Sequence, residues 1–553
     1  MAPFSSLLII LFLLTPLITT ELTTSHDIIA SEKPNPQSTP LTHEITFDVG
    51  RTNLAPDGFT RRVWTVNKKF PGQTIHAFKG DRLKVHVINN LGDEETAFHW
   101  HGIFQNGTPW YDGVPGGTQC PIPAGEEFTY EFQLPQSGTH WWHSHYFAQY
   151  VDGLAGPLIV HDPKDPYLQK YDKEFIVTLH DWYHTETPEL LKALMKPLQE
   201  GYSEPAPDSG LINGRHSYNC TLAPVGTTCI SNHSLSRFVF QQGKKYRIRI
   251  INMSADDHFN FSIDEHLLDV IEIDGVLVKS QQVNYLSINA GQRCSVIVKA
   301  DKTINNFWMR AVMGVDDTEN GVNPDIRAIV HYEGASLNKP KTQDWTTKKD
   351  KADIVDLEPL TLKPYLNEFS PLPVGTQFIL TIDLRPDSNN YTKGFVNNST
   401  FKLDLDHPSL DKAIRNLPID GPHANLYTFD KPGEVIQVIL QNLHDEHHPF
   451  HMHGHNFWIL GAGKGLFDKN NATLNLIDPI KRDTEDVPGE GWLVIRFVAN
   501  NPGVWTFHCH LEWHLEQGLS LQFLELPTLL RNYQQPKSVK RLCLLSNSTN
   551  TNS

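Results

Sequence analysis

Cationic residues are in deficit: 47 Lys+Arg face 63 Asp+Glu across 553 residues, a net charge of −16. That balance argues against a phosphate-binding surface and excludes nucleic acid as a partner. Cysteine is scarcer still. Six cysteines in so long a chain cannot make a disulfide framework, so the fold must rest on packed apolar cores, in roughly three domains. Long apolar runs are almost absent. The one at residues 5–19 (SSLLIILFLLTPLIT) has the length of a signal-peptide core, and no second run reaches the ~18 residues of a membrane span. We therefore expect a secreted chain with a signal peptide over 1–22, no membrane anchor and a polar C-terminal tail over 531–553. Asn-x-Ser/Thr sites at Asn106, Asn219, Asn232, Asn252, Asn260, Asn390, Asn397, Asn398, Asn471 and Asn547 fit that route. Helical periodicity is rare too, confined to Glu189–Lys196 (ELLKALMK).

What the sequence does have is an internal repeat. GDRLKVHVIN (Gly80–Asn89), GKKYRIRIIN (Gly243–Asn252) and GEVIQVILQN (Gly433–Asn442) share a turn glycine, a strand-like run and an Asn nine places on. A second echo follows each: AGEEFTYEF from Ala124, AGQRCSVIV from Ala290 and PGEGWLVIRF from Pro488. A third, SGTHWWH and PGVWTFH, ends at His143 and His508. Three copies of one β-sandwich account for this, in an all-β chain with boundaries near 165 and 345, the second in the charged run Lys339–Lys351. Cys220 and Cys229 can staple a loop, and Cys120 with Cys543 can tie the tail to the first unit. Cys294 and Cys509 remain.

Ten of the 28 histidines fall in four clusters: His99-Trp-His101, His143-Ser-His145, His448-Pro-Phe-His451-Met-His453, and His508-Cys509-His510 with His514. On a strand, residues i and i+2 face one side about 7 Å apart. Four His-x-His pairs (99/101, 143/145, 451/453, 508/510) thus offer eight imidazoles to one cavity, too many for one metal and suited to several. Alternation sends Cys509 the other way, to a separate metal with His448 and His514. A His2Cys set is blue-copper ligation, and the place of a weak axial Met falls to Leu519, which cannot coordinate; a three-coordinate copper of raised potential is predicted. Zinc needs neither so many ligands nor a one-electron Cys site. The middle unit has Phe261 and Ile263 where the third has His451 and His453, so the metals belong to units one and three and the cluster to their interface.

The motifs HWHG, HWWHSH, HPFHMHGH and HCHLEWHLEQGL resemble those of the three-domain multicopper oxidases (laccases, ascorbate oxidases, extracellular ferroxidases) over about residues 43–527. The resemblance implies three cupredoxin-like Greek-key domains at 43–165, 166–345 (no copper) and 346–530, and four coppers. His448, Cys509 and His514 would hold type 1 copper and His99 with His451 type 2. His101, His143 and His510 would hold one type 3 copper; His145, His453 and His508 the other. It implies one-electron oxidation of a reductant, electron passage through Cys509 to His508 and His510, and four-electron reduction of O2 to water. Asp112 and Glu512 match acids that handle protons near the cluster, and Asp256 resembles the acid that takes the phenol proton in laccases. A missing C-terminal anchor and Leu519 in place of Met tilt the expectation to a monomeric laccase-like phenol oxidase. A soluble Fe(II) oxidase using Asp181, an ascorbate oxidase, or a copper-free binding relative are the alternatives.

Overall fold

The computed structural model describes residues 27–33, 39–314, 323–344, 355–402, 404–419, 421 and 423–550, the side chains of 547–550 excepted. The expected signal peptide, the second half of the charged run near 345, the Asn547 side chain and the last three residues of the tail lie outside the described residues.

Each repeat is a pair of packed sheets. In unit one, a four-stranded sheet centred on Thr42–Leu54 and Arg82–Asn89 faces a sheet ordered Ile75–Phe78, Ala155–His161, Gly138–Ser144, Phe98–His101. Units two and three repeat the plan with larger sheets. The first and second echoes are neighbouring antiparallel strands in all three units: Arg82–Asn89 with Glu127–Gln133, Lys245–Asn252 with Arg293–Lys299, and Val435–Asn442 with Gly491–Val498. Burial strictly alternates along Arg82–Asn89, whereas Val435–Asn442 is buried on both faces.

The repeated Asn is a turn clamp. The Asn89 amide donates to the carbonyls of Glu94 and Ile122, Asn252 to Asp257 and Ile288, and Asn442 to Glu446 and Pro488, all at 2.8–3.2 Å. Each Oδ1 accepts the N–H two residues on. Asn252 is therefore fully buried with its amide spent, and its glycosylation sequon is closed.

Three features depart from expectation. Asp27–Ile29 and Ser31–Glu32, upstream of unit one, add edge strands to the two sheets of unit two. The helix spans Thr187–Leu194, two residues earlier than its apolar pattern, because Pro188 and Glu189 suit a first turn and Pro197 ends the run. The tail forms a helix, Lys537–Asn550, that buries Val539 and Leu542 in the core of unit one and is pinned by a Cys120–Cys543 disulfide. Cys220–Cys229 closes the second bridge. Cys294 is a buried free thiol whose pKa burial raises, so it is an inert part of the core.

A buried ion pair of unit two also holds unit one through a hydrogen bond. Glu272 of unit two accepts from Arg247 at 2.5 Å and from the Thr139 N–H of unit one at 3.0 Å. Burial alone would raise its pKa, but Arg247 and Arg249 outweigh burial and bring it from 4.5 to about 2. With the folded value below the unfolded one, this stabilisation is present above pH 4.5 and is lost as pH falls towards 2. Thermal denaturation should show Tm falling through that window. Glu272→Gln, which leaves Arg247 with Asp165 and Arg249 with Glu174 but removes the carboxylate between them, should cost about 1–3 kcal/mol at neutral pH and flatten the fall.

Candidate metal centre

Strand pairing brings the histidine clusters together. Phe98–His101 lies beside Gly138–Ser144 with His99 opposite His143, and His448–Met452 lies beside Gly503–Cys509 with His451 opposite His508. Within each His-x-His pair the ring centroids are 4.9–5.9 Å apart, as same-face residues of a twisted strand should be. Units one and three then meet ring to ring: His99 stacks on His453 at 3.9 Å and His101 on His451 at 3.7 Å. The ligand-capable atoms gather into compact groups: His99, His101 and His451; His101, His143 and His510; His145, His453 and His508. Cys509 points away from these into a fourth group with His448 and His514.

The proton inventory of these rings tests their fit to metal. His99, His143, His451 and His508 each donate Nδ1–H to a backbone carbonyl (of Asp112, Ser144, Asp483 and Cys509) at 2.8–3.0 Å, and His453 donates Nδ1–H to Asp112 Oδ2 at 2.8 Å. Their Nε2 atoms must then carry lone pairs. Those of His99, His143 and His451 are buried without a hydrogen-bond partner, and those of His453 and His508 face each other at 3.3 Å. Two lone pairs at that distance repel unless a cation lies between them. Burial pushes the rings of His143, His453, His508 and His510 well below the ordinary histidine range, and His145 to about 3, so they are neutral donors. Each tethered ring is thus held from its far side with a free lone pair turned inward, as a metal ligand needs.

In the fourth group Cys509 Sγ lies 3.6 Å from His448 Nδ1 and 3.7 Å from His514 Nδ1, which are 3.1 Å apart. Burial raises the thiol pKa well above its usual value, so a soft cation is what would convert it to thiolate. Leu519 is fully buried in the same apolar cluster, and its carbonyl accepts the Cys509 N–H at 3.1 Å. Gly394 is required there, since a Cβ would stand 2.5 Å from that of Leu519.

The acids divide by environment. Asp112 is wholly buried between His453 and His99; burial would raise its pKa, but the two rings outweigh it and hold the carboxyl well below the usual range. Glu512 lies in a cavity of about 520 Å³ together with His143, His145, His508 and His510, and burial, reinforced by Glu516, raises its carboxyl pKa well above the usual range. Asp256 is half-buried and raised by burial, then by Glu204, Asp257 and Asp181. An acid that touches His514 is Glu204, whose Oε1 is 3.1 Å from Nε2. Nothing in the local sequence GYSEPAPD marks Glu204. Asp181, considered for iron, is buried with its oxygens taken by the N–H groups of Ala255, Asp256 and Asp257 and by the Tyr183 hydroxyl. It is a turn clamp rather than a free ligand. Asp483, Thr484 and Arg293, behind His101 and His451, were also invisible to motif reading.

Comparison with known proteins agrees with this geometry. Three family models, each described as multicopper oxidase, match residues 48–165, 173–335 and 384–528. Laccase-2 of Botryotinia fuckeliana is 36% identical over 497 residues, 88% of this chain and 83% of its own length. The laccase of Phlebia radiata is 35% identical over 517 residues, 91% and 94% of the two chains. Among solved structures, the laccase from Botrytis aclada gives a TM-score of 0.82 at 33% identity, covering 92% of this chain and 93% of that one. Fet3p, described as a multicopper oxidase that functions in iron import, gives 0.82 at 29% identity, covering 92% and 95%. With three cupredoxin-like sandwiches and a histidine cluster between the first and third, the chain belongs to the multicopper oxidase family.

Proposed function

We propose that this copper oxidoreductase is laccase-like and secreted, acting as a monomer that takes single electrons from small phenols or diphenols and passes four to O2. Bound copper supplies the one-electron chemistry and the binding and reduction of O2. His448, Cys509 and His514 would hold the ion at which electrons enter. The histidine cluster would hold three more, His99 with His451 on one, His101, His143 and His510 on the second, and His145, His453 and His508 on the third. The observation that carries the reading is the pair of buried, outwardly tethered rings whose lone pairs meet at 3.3 Å.

The chain's own groups handle geometry and protons. Peptide bonds join Cys509 directly to His508 and His510, giving a covalent route between the two sites. Glu512 brings a held proton to the cavity that reaches four of the cluster histidines. Asp112 fixes the tautomers of His453 and His99. Glu204, at the His514 edge, is positioned to accept the proton a phenol sheds on losing an electron. Asp256, whose carboxyl Glu204 pushes up, is the second acid for that role.

Glu204→Gln should lower kcat/KM for phenols roughly 100-fold and leave oxidation of ferrocyanide, which sheds no proton, unchanged; equal losses for both donors would remove Glu204 from proton transfer. A second reading, Fe(II) oxidation, is favoured by the same carboxylate and by Asp256, on which the charges of Glu204, Asp257 and Glu446 converge. Oxygen uptake with a diphenol, ascorbate and Fe(II) side by side separates the substrate classes. The diphenol is expected to show the highest kcat/KM, and a low-KM preference for Fe(II) would replace that assignment.

A further inference from the structure

We propose that Arg293, on the unit that supplies none of the clustered histidines, is a positioning residue for the cluster: it grips Asp483, which in turn holds His101 with Nδ1 turned towards the other rings. The inference rests on the histidines holding copper and adds a role for the middle unit.

His101 is the exception among the tethered rings. Where the others give Nδ1–H to an anchor and free Nε2, His101 directs Nε2 to Asp483 Oδ1 at 3.3 Å and leaves Nδ1 without a partner. Its orientation thus depends on a carboxylate, with the Thr484 hydroxyl 3.4 Å from the same nitrogen, whereas His99, His143 and His508 use a backbone carbonyl. That carboxylate is itself clamped. Arg293 Nη1 and Nη2 donate to Asp483 Oδ1 and Oδ2, each at 2.6 Å, and the Thr484 hydroxyl adds a bond to Oδ1 at 2.9 Å. A bidentate guanidinium fixes both the charge and the plane of a carboxylate, which a flexible ammonium does not.

Arg293 has no freedom of its own. It is fully buried, with Nε on the Thr139 carbonyl at 3.0 Å and Nη1 on that of Gly291 at 3.2 Å. Room for it is made by Gly102, next to His101. At φ +88° a Cβ on Gly102 would stand 2.6 Å from Arg293 Nη2 and 3.0 Å from Asp483 Oδ2. The same turn of unit two makes two further contacts. Gly291 packs so closely on His510 that a Cβ would fall 2.7 Å from its ring, and Gln292 donates to the Thr484 carbonyl at 3.1 Å. The middle unit has lost the histidines but presses one turn, Ala290–Arg293, against the supports of the cluster.

The test compares wild type with Arg293→Met, Arg293→Lys, Asp483→Asn and Arg482→Met for copper per chain, the blue thiolate band, the paramagnetic copper signals and Tm. Arg482 bridges the same units through Asp274, which also accepts the Arg293 backbone N–H at 2.8 Å, and makes no hydrogen bond to Asp483 or His101, so it controls for loss of an interface ion pair with the Asp483 clamp left in place. Arg293→Met and Asp483→Asn should keep the blue band while cluster copper affinity and oxygen turnover fall roughly 10–100-fold. Arg293→Lys, with the charge but not the fork, should fall short of wild type. Arg482→Met should lower Tm and keep its copper. Full copper and turnover in Arg293→Met would overturn the proposal, as would parallel losses in the Arg293 and Arg482 variants. Should Arg293→Met fail to fold, wild-type values in Arg293→Lys would overturn it equally. Wild-type protein without cluster copper would instead defeat the underlying copper reading.

Discussion

Cys509→Ser should abolish the blue band and phenol oxidation together while copper stays in the histidine cluster. Cys509 is the sole sulfur in its group, with His448 and His514 as partners, and it shares a buried apolar cluster with Phe450, Leu511 and Leu519. A serine hydroxyl ionises far less readily than the thiol and offers a hard donor where the site presents a soft one. It also removes the sulfur that would link the metal to the covalent route to His508 and His510. The loss should exceed the ~10–100-fold typical of changing a residue that only supports a ligand and leave turnover at background. Because the cluster histidines sit on the opposite face of the strand, copper content should drop by one ion per chain, measured by elemental analysis. Loss of all copper would mean that the two sites are not separately built.

Asp112→Asn should damage the cluster without touching the blue site. The Asp112 carboxylate accepts from His453 Nδ1 at 2.8 Å and lies 3.3 Å from His99 Nδ1, while its carbonyl accepts from His99 at 2.8 Å. An amide has one acceptor oxygen. If that oxygen faces His453, the NH2 faces the His99 N–H; if it faces His99, His453 is pushed to the other tautomer and its Nε2 is no longer a lone-pair donor. Errors of tautomer in buried histidines cost far more than a lost hydrogen bond, and turnover should fall at least ~100-fold. Stopped-flow kinetics should locate the defect: reduction of the blue copper by substrate at the wild-type rate, and its reoxidation by O2 slowed. A slowed reduction with normal reoxidation would contradict the placement of Asp112.

The histidine cluster was legible because strand alternation is a local rule. His99 and His101 share a face by backbone geometry alone, and the opposite exit of Cys509 from the same strand follows from the same period of two. The repeated Gly and Asn likewise announced three copies of one sandwich, since each performs a local turn function. The supports were not legible. Asp483 lies in KRDTED, which reads as a charged surface run, yet it is buried beneath Arg293 and His101, residues 190 and 382 positions away. Glu204 sits in a loop with no periodicity, and only tertiary packing brings it to His514. Asp256 and Asp181 drew notice through motif position; the fold leaves the first half-buried and spends the second on a backbone turn. The C-terminal helix escaped because Val539 and Leu542 are too few to show an apolar stripe in a polar stretch, although Cys543 had marked where it would be tied.

The most direct test is crystallography of the copper-loaded protein with data collected on either side of the copper absorption edge. The account predicts one anomalous peak bounded by Cys509, His448 and His514 and three more between units one and three, among the paired histidines. A peak shared by Cys509 with His508 or His510, or an empty histidine cluster in protein that reduces O2, would contradict it.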